Sequence, residues 1–358
     1  MKILIITNLY PPYERGGAEL VVRKEARDLR DAGHNVFVLT SMPFSGFKSL
    51  TPAAKVEDGI TVLRYFPLNL FWYRHDWKFP KFLRLFWHIL DTFNICSFFV
   101  TKSVLKRVQP DQIRSHNLKG IGLTTALALR QEANGKWTHF LHDVQLFEPS
   151  GLLYNRKTFG STFYAMLTRW LFGSPDIIEA PSQWIINEHI KVGFFNISRK
   201  RTVKWYPDPK PLLMDANRHN PRFMFVGQLA EHKGILFLAD VLAGMTPGFT
   251  LDVVGGGPMD REIKERFSGN PWVHFHGRVT QQEVLSLLKG ADYLLVPSLA
   301  AENCPTVIVD ALKCDVPVIA SRVGGIPEML QHGVNGFLVD ANDKKQWLQT
   351  LQHLLTRE

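Results

Sequence analysis

The stretch Pro297–Ala320 (PSLAAENCPTVIVDALKCDVPVIA) sets two carboxylates, Glu302 and Asp310, with seven residues between them. Between them the residues read as the start of a helix. Asn303 suits an N-cap, and Pro305 suits the first turn, where its missing N–H costs nothing. Val307, Ile308, Ala311 and Leu312 then form an inward stripe, with Asp310 on another side. The unpaired amides from Cys304 through Thr306 to Val307 form a positive terminus suited to a diphosphate. Two acids beside an anion site repel the anion unless they bind hydroxyls, which carboxylates do by accepting hydrogen bonds. Phosphate flanked by hydroxyls describes a nucleotide sugar.

Three further positions bear on the same chemistry. The apolar run Lys2–Thr7 is followed by a loop and then by helical periodicity, with Ala18, Val21, Val22, Ala26, Leu29 and Ala32 on one face. Gly16 and Gly17 stand at that helix entrance, where backbone amides unobstructed by side chains can approach an anion. Lys233 reads as a helix-start lysine, unfavourable beside a positive terminus unless a ligand balances it. His142 ends a strand expected over Thr138–His142 and is followed by Asp143. With no activating base in view, Cys304 reads as a packing residue and not as a nucleophile.

The elements that must position these residues alternate strand and helix. Strands are expected at Lys2–Thr7, Asn35–Thr40, Thr138–His142 and Asp176–Ala180, with a helix over Ile121–Arg130. The second half reads as strands at Phe223–Val226, Leu251–Val254, Val273–His276, Tyr293–Val296, Val316–Ala320 and Gly336–Val339, separated by helical segments such as Gln281–Leu288 and ending in a helix over Asp343–Leu355. Repeated alternation implies doubly wound parallel sheets with ligands at the carboxyl ends of their strands. The proline-punctuated stretch Trp205–Pro221 divides the chain, giving two Rossmann-like domains, residues 1–206 and 207–358. A dinucleotide dehydrogenase shares this topology. However, the loop after the first strand reads RGGA, not GxGxxG, and the second strand ends in Thr40-Ser41 without the ribose-binding acid.

Composition bounds the rest. The 358 residues are 45% hydrophobic and 21% charged, which excludes disorder, collagen-like repeats and coiled coil as the main architecture. Three scattered cysteines fit a reducing compartment, and the first apolar run is too short for an export signal, so a cytoplasmic protein is expected. Residues 1–210 hold 29 Lys and Arg against 17 Asp and Glu, and the remainder 13 against 16. Basicity confined to the first domain points to an anionic partner there, or to a solvated basic face with none. Residues Tyr65–Val108 interleave aromatic and basic side chains, which suits either an anionic bilayer surface or a helical pair packed on the domain's own sheet. No reader motif for nucleic acid is present. No H-E-x-x-H, paired-cysteine or D-x-D pattern suggests a metal.

Glu302, seven residues, Asp310 and the following ALKCDVPVIAS resemble the signature of the family-four retaining glycosyltransferases of the GT-B fold. Further blocks agree in order along nearly the whole chain: YPPYERGGAE, His116-Asn117, His142-Asp143, Pro181-Ser182, VGQLAEHKG, VVGGGP, VHFHGRV, GGIPE and GVNGFLV. The resemblance implies a fold of two Rossmann-like domains facing across a cleft, and transfer of a hexose from a UDP- or GDP-sugar to a glycan or lipid-phosphate-linked acceptor in bacterial surface polysaccharide or glycolipid assembly. It implies that Glu302 holds the donor sugar's hydroxyls and Asp310 the ribose, that Lys233 neutralises the diphosphate with the Gly16 and Gly17 amides, that His142 lies by the sugar, and that backbone near Arg278 and Val279 faces the base. It further implies a metal-independent reaction without cofactor, while the segment Tyr65–Val108 is what suggests a peripheral membrane location. Two residues depart from the pattern: Gln228 stands where the family has arginine, five residues before its lysine, and Asp310 where glutamate is commoner. Loss of a charged donor to phosphate should weaken transition-state stabilisation by about 1.5–3 kcal/mol. The competing classes are a non-catalytic nucleotide-sugar binder or partner subunit, marked by Gln228, and a nucleic-acid binder driven by the basic half.

Overall fold

The computed structural model describes residues 1–358 except 15, 154–158, 205, 213–219, 247 and 356–358, and not the side chains of 76–78, 81 and 159. Contacts divide the chain into two compact units, one of Met1–Gly151, Asn155–Pro181 and Ile185–Val203, the other of Leu152–Tyr154, Ser182–Trp184 and Lys204–Glu358. Much of the stretch Trp205–Pro221, read above as the boundary, lies outside the described residues, as does the arginine of the RGGA run.

In the first unit the elements run β1 (Lys2–Ile6), α1 (Gly17–Asp31), β2 (Asn35–Ser41), β3 (Ala53–Glu57), β4 (Ile60–Tyr65), α2 (Lys81–Thr92), α3 (Ile95–Val108), β5 (Gln112–Ser115), α4 (Thr124–Glu132), β6 (Trp137–Phe140), α5 (Phe159–Phe172), β7 (Ile177–Ala180), α6 (Gln183–Lys191) and β8 (Arg199–Thr202). They build an eight-stranded sheet in the order β3-β4-β2-β1-β5-β6-β7-β8, parallel except where β3 pairs antiparallel with β4. Four of the five residues of β1 are buried, as the branched apolar run requires of a strand covered on both faces. Succession reverses between β1 and β5, the switch point where a doubly wound sheet opens a crevice at its strand ends.

The second unit runs β9 (Arg222–Val226), α7 (Ile235–Leu242), β10 (Thr250–Val254), α8 (Asp260–Arg266), β11 (Val273–Gly277), α9 (Gln281–Leu288), β12 (Tyr293–Val296), α10 (Thr306–Lys313), β13 (Val318–Ser321), α11 (Ile326–Met329), β14 (Gly336–Val339) and α12 (Lys344–Leu355). Its all-parallel sheet has the order β11-β10-β9-β12-β13-β14, with the switch point between β9 and β12. Two apolar clusters flank it. One is built on Phe223, Leu238 and Trp347, the other on Met224, Leu294 and Ile308.

Several expected boundaries shift. The helix expected over Ile121–Arg130 begins at Thr124, because Gly120 and Gly122 hold the left-handed backbone of a tight loop before it. The strand expected over Thr138–His142 ends at Phe140, which leaves His142 in the following loop. The strand expected from Val316 starts at Val318, after Pro317, which has no N–H to give a ladder. The segment Tyr65–Val108 packs in part within its own unit. Trp87 is fully buried and donates to Phe71 O, and Trp72 donates to Ser41 Oγ. Yet Phe82, Leu85, Phe86, Ile89 and Phe93 on the same helix face outward, 46–62% exposed.

Candidate functional site

In the second unit the loops that follow β9, β12 and β13 converge. Gly234, at φ +72°, closes the turn after β9, and a Cβ there would lie 1.9 Å from Pro297 O. Gly324, at φ +60°, ends the loop after β13, and a Cβ there would meet Glu302 O at 2.0 Å. Only glycine lets these backbones approach so closely. His232 O accepts from Leu299 N at 2.9 Å, and Gly325 N donates to Glu302 O at 2.7 Å.

This packing brings Lys233 and Glu302 together. Lys233 Nζ donates to Glu302 Oε2 at 2.5 Å, and Ser298 Oγ donates to Glu302 Oε1. Burial raises the Glu302 carboxyl, but Lys233, Ser298 and His232 outweigh it and hold the group below the usual carboxylate range. His232 is itself pushed down, first by burial and then by Lys233. An ionised acceptor and a cation, each with remaining hydrogen-bonding capacity, thus stand at the switch point.

The α10 terminus is built differently from expectation. Pro305 and not Asn303 is the N-cap, so Pro305 lies outside the first turn. Asn303 is occupied elsewhere, its Oδ1 accepting from Ser182 Oγ at 2.6 Å. Ile308 N and Val309 N bond to Pro305 O, while helix geometry leaves Thr306 and Val307 amides without an acceptor inside the helix. Burial raises the Cys304 thiol to about 12, so it is a protonated packing group against the apolar cluster. Asp310 accepts from Gln281 Nε2 at 2.6 Å, and burial lifts its carboxyl above the ordinary value. Gln228 is exposed. Arg278 is exposed beside Gly256, and Val279 packs against the inner cluster.

In the first unit, Gly16 caps α1 and Gly17 is its first residue. The Gly16 N–H, expected to face an anion, already donates to Glu19 Oε2 at 2.8 Å as half of a capping box. His142 is buried. Its Nε2 lies 2.9 Å from Nδ1 of His116, which directly follows β5. Burial, then His116, pushes His142 well below the ordinary imidazole value. A pocket at this end of the sheet is lined by His88, Asp91, Lys119, His142, Asp143 and Tyr164. Burial raises Asp91 and Asp143 to about 6 each. Sequence reading found His142 and Asp143 but missed Asp91, because a carboxylate within an aromatic helix gives no local sign of what it faces. Glu25 and Arg114 around His116 were missed for the same reason. Among the described residues no group of three or more His, Cys, Asp or Glu is placed to hold a metal ion.

The profile of Glycosyltransferase Family 4 matches residues 15–207, and that of Glycosyl transferases group 1 matches residues 220–357. An uncharacterised 42.6 kDa protein in the cps region of Klebsiella pneumoniae is 24% identical over 342 residues, covering 92% of this chain and 87% of that one. Among solved structures, sucrose-phosphate synthase from Thermosynechococcus elongatus superposes with a TM-score of 0.76 at 18% identity, over 99% of this chain and 89% of that one. Anabaena HepE in complex with UDP-glucose gives a TM-score of 0.68 at 22% identity, over 98% and 89%. The fold is the two-unit α/β architecture of these GT-B proteins.

Proposed function

The chain belongs to glycosyltransferase family 4, and from that premise we propose that it transfers a hexose from a UDP- or GDP-sugar, with retention of configuration and without a metal or cofactor. The observation that carries this reading is the Lys233–Glu302 pair at the β9/β12 switch point, beside the open amides of α10. Lys233 and the Thr306 and Val307 amides suit the diphosphate, and Glu302 the hydroxyls of the sugar. Diphosphate binding supplies the cation with a second anion, which frees Glu302 to turn to the sugar. Asp310 takes the ribose on release from Gln281, backbone near Arg278 and Val279 takes the base, and His142 and the Gly16 and Gly17 amides serve the donor as the resemblance assigns them. Fixed N–H groups and a lysine stabilise a leaving diphosphate electrostatically, which is the role a metal would otherwise fill. HepE, whose UDP-glucose complex shares this fold, supports the donor class.

The acceptor in this reading is a glycan or lipid-phosphate-linked sugar at an anionic membrane surface, in surface polysaccharide or glycolipid assembly. The outward stripe Phe82, Leu85, Phe86, Ile89 and Phe93 supports it. Helices α2 and α3 carry Arg84, Lys106 and Arg107, while their only acid, Asp91, is buried. Rings and aliphatic chains at headgroup depth with cations beside them are what binds an anionic bilayer. No helix among the described residues is long and apolar enough to cross a membrane.

The direct test of the chemistry is NMR of slow donor turnover. Incubated with its α-linked donor, the chain should release the α-anomer first, with or without EDTA. Initial β-anomer would overturn retention, and loss of turnover in EDTA would overturn metal independence.

A further inference from the structure

His142 ends a chain of partly buried polar groups that begins on α1. Glu25 Oε1 accepts from Arg114 Nε, and Glu25 Oε2 lies 2.7 Å from His116 Nε2. Those last two atoms are both buried and make no straight hydrogen bond, so theirs is a close contact that a small turn of ring or carboxylate closes into a hydrogen bond. His116 Nδ1 then meets His142 Nε2 at 2.9 Å. Behind Glu25, Arg114 Nη2 donates to Glu179 Oε2 at 2.5 Å, and Glu179 also accepts from Arg201.

We propose that Glu25 and His116 are positioning residues that fix which ring nitrogen of His142 carries its proton. An ionised carboxylate can only accept, so the hydrogen between Glu25 and His116 belongs to His116 Nε2. Burial raises Glu25, but His116 and Arg114 overcome it and hold the carboxyl at about 2. A neutral His116 ring carries a single N–H; placed at Nε2 against Glu25, it leaves a lone pair at Nδ1 that accepts from His142 Nε2. His142 is thereby held as the Nε2–H tautomer, with Nδ1 its acceptor nitrogen. Arg114 sets the direction of the whole chain. Pinned by Glu179, it presents a donor, never an acceptor, to Glu25 Oε1.

That direction makes the inference testable through Glu25→Gln. The amide must give its oxygen to Arg114, which turns its NH2 toward His116. His116 Nε2 becomes the acceptor, Nδ1–H donates to His142 Nε2, and His142 becomes the Nδ1–H tautomer. Nitrogen-15 NMR of the imidazoles of the full chain at pH 8 reads this directly, with His142→Asn identifying its resonances. The wild type should show both His116 and His142 as Nε2–H, and E25Q should invert both. An Nδ1–H signal for either in the wild type, or unchanged tautomers in E25Q, overturns the proposal. The wild-type spectrum carries the test even where E25Q does not fold. The consequence for turnover rests on the proposed role of His142 beside the sugar: kcat in E25Q should fall at least tenfold with KM within about twofold. Inverted tautomers with unchanged kcat would leave the chain of contacts standing and remove His142 from the reaction.

Discussion

Lys233 Nζ lies 2.5 Å from Glu302 Oε2, although 69 residues separate them. Each was singled out for a different part of a donor, the cation for the diphosphate and the carboxylate for the sugar. In the structure they satisfy one another. The pairing keeps a largely buried carboxylate charged.

Truncating either partner leaves the other without its counter-charge. Lys233→Ala should lower kcat by about 10²–10³, as loss of a preorganised donor to developing charge does. Combined with Glu302→Gln it should be non-additive, with a coupling of about 0.5–3 kcal/mol in stability. A double-mutant cycle by chemical denaturation measures it; strict additivity would show that the pair is not a functional unit.

The close approach at Gly234 predicts a large cost for one methyl group. Gly234→Ala puts a Cβ against Pro297 O in a left-handed backbone, and should cost at least about 2 kcal/mol. Gly269→Ala, also left-handed but with nothing within 4 Å, should cost less. Thermal unfolding of the two variants separates clash from backbone strain.

Glu25 gives a pH-dependent prediction. Its folded value, about 2, lies below the ordinary 4.5. The group therefore adds stability that is complete above about 4.5 and is lost as pH falls toward 2. Glu25→Gln should thus be destabilised at pH 7, and the gap to wild type should close as pH falls from 4.5 toward 2. A gap independent of pH would contradict the assignment of charge to Glu25.

The outward stripe on α2 predicts salt-sensitive association with vesicles containing anionic lipid. Phe82→Asp with Phe86→Asp should weaken sedimentation with such vesicles at least tenfold while leaving unfolding temperature nearly unchanged, since both side chains are mostly exposed. Absence of wild-type binding at low salt contradicts the surface proposed.

Local pattern carried much of this architecture. Tyr293–Val296, Gly336–Val339 and the helix Gln281–Leu288 were legible to the residue, because apolar runs and capping pairs such as Thr280 with Glu283 act over a few positions. The edge strands of the first unit were not legible. Arg199–Thr202 is a charged, exposed edge strand, whose side chains resemble a loop because charge on an edge blocks stray pairing. The Asn303 cap was read from propensity and lost to a contact with Ser182 that no local rule foresees. Glu302 and Lys233 were legible as chemistry, but their pairing depends on glycine-permitted loop contacts between distant strands. Glu25 and Arg114 were silent, because their contact joins helix α1 to strand β5 across 89 residues of sequence.

The central claim is that the Lys233–Glu302 site binds a nucleoside-diphosphate sugar, and ligand-induced thermal stabilisation tests it most directly. Wild type and Lys233→Ala would be screened against UDP, GDP, ADP and their common hexose conjugates, with and without EDTA. A UDP or GDP ligand at 100 times its Kd should stabilise wild type by about 2.7 kcal/mol regardless of EDTA, and the variant far less. Stabilisation by none of them, or equal stabilisation of Lys233→Ala, would contradict the account.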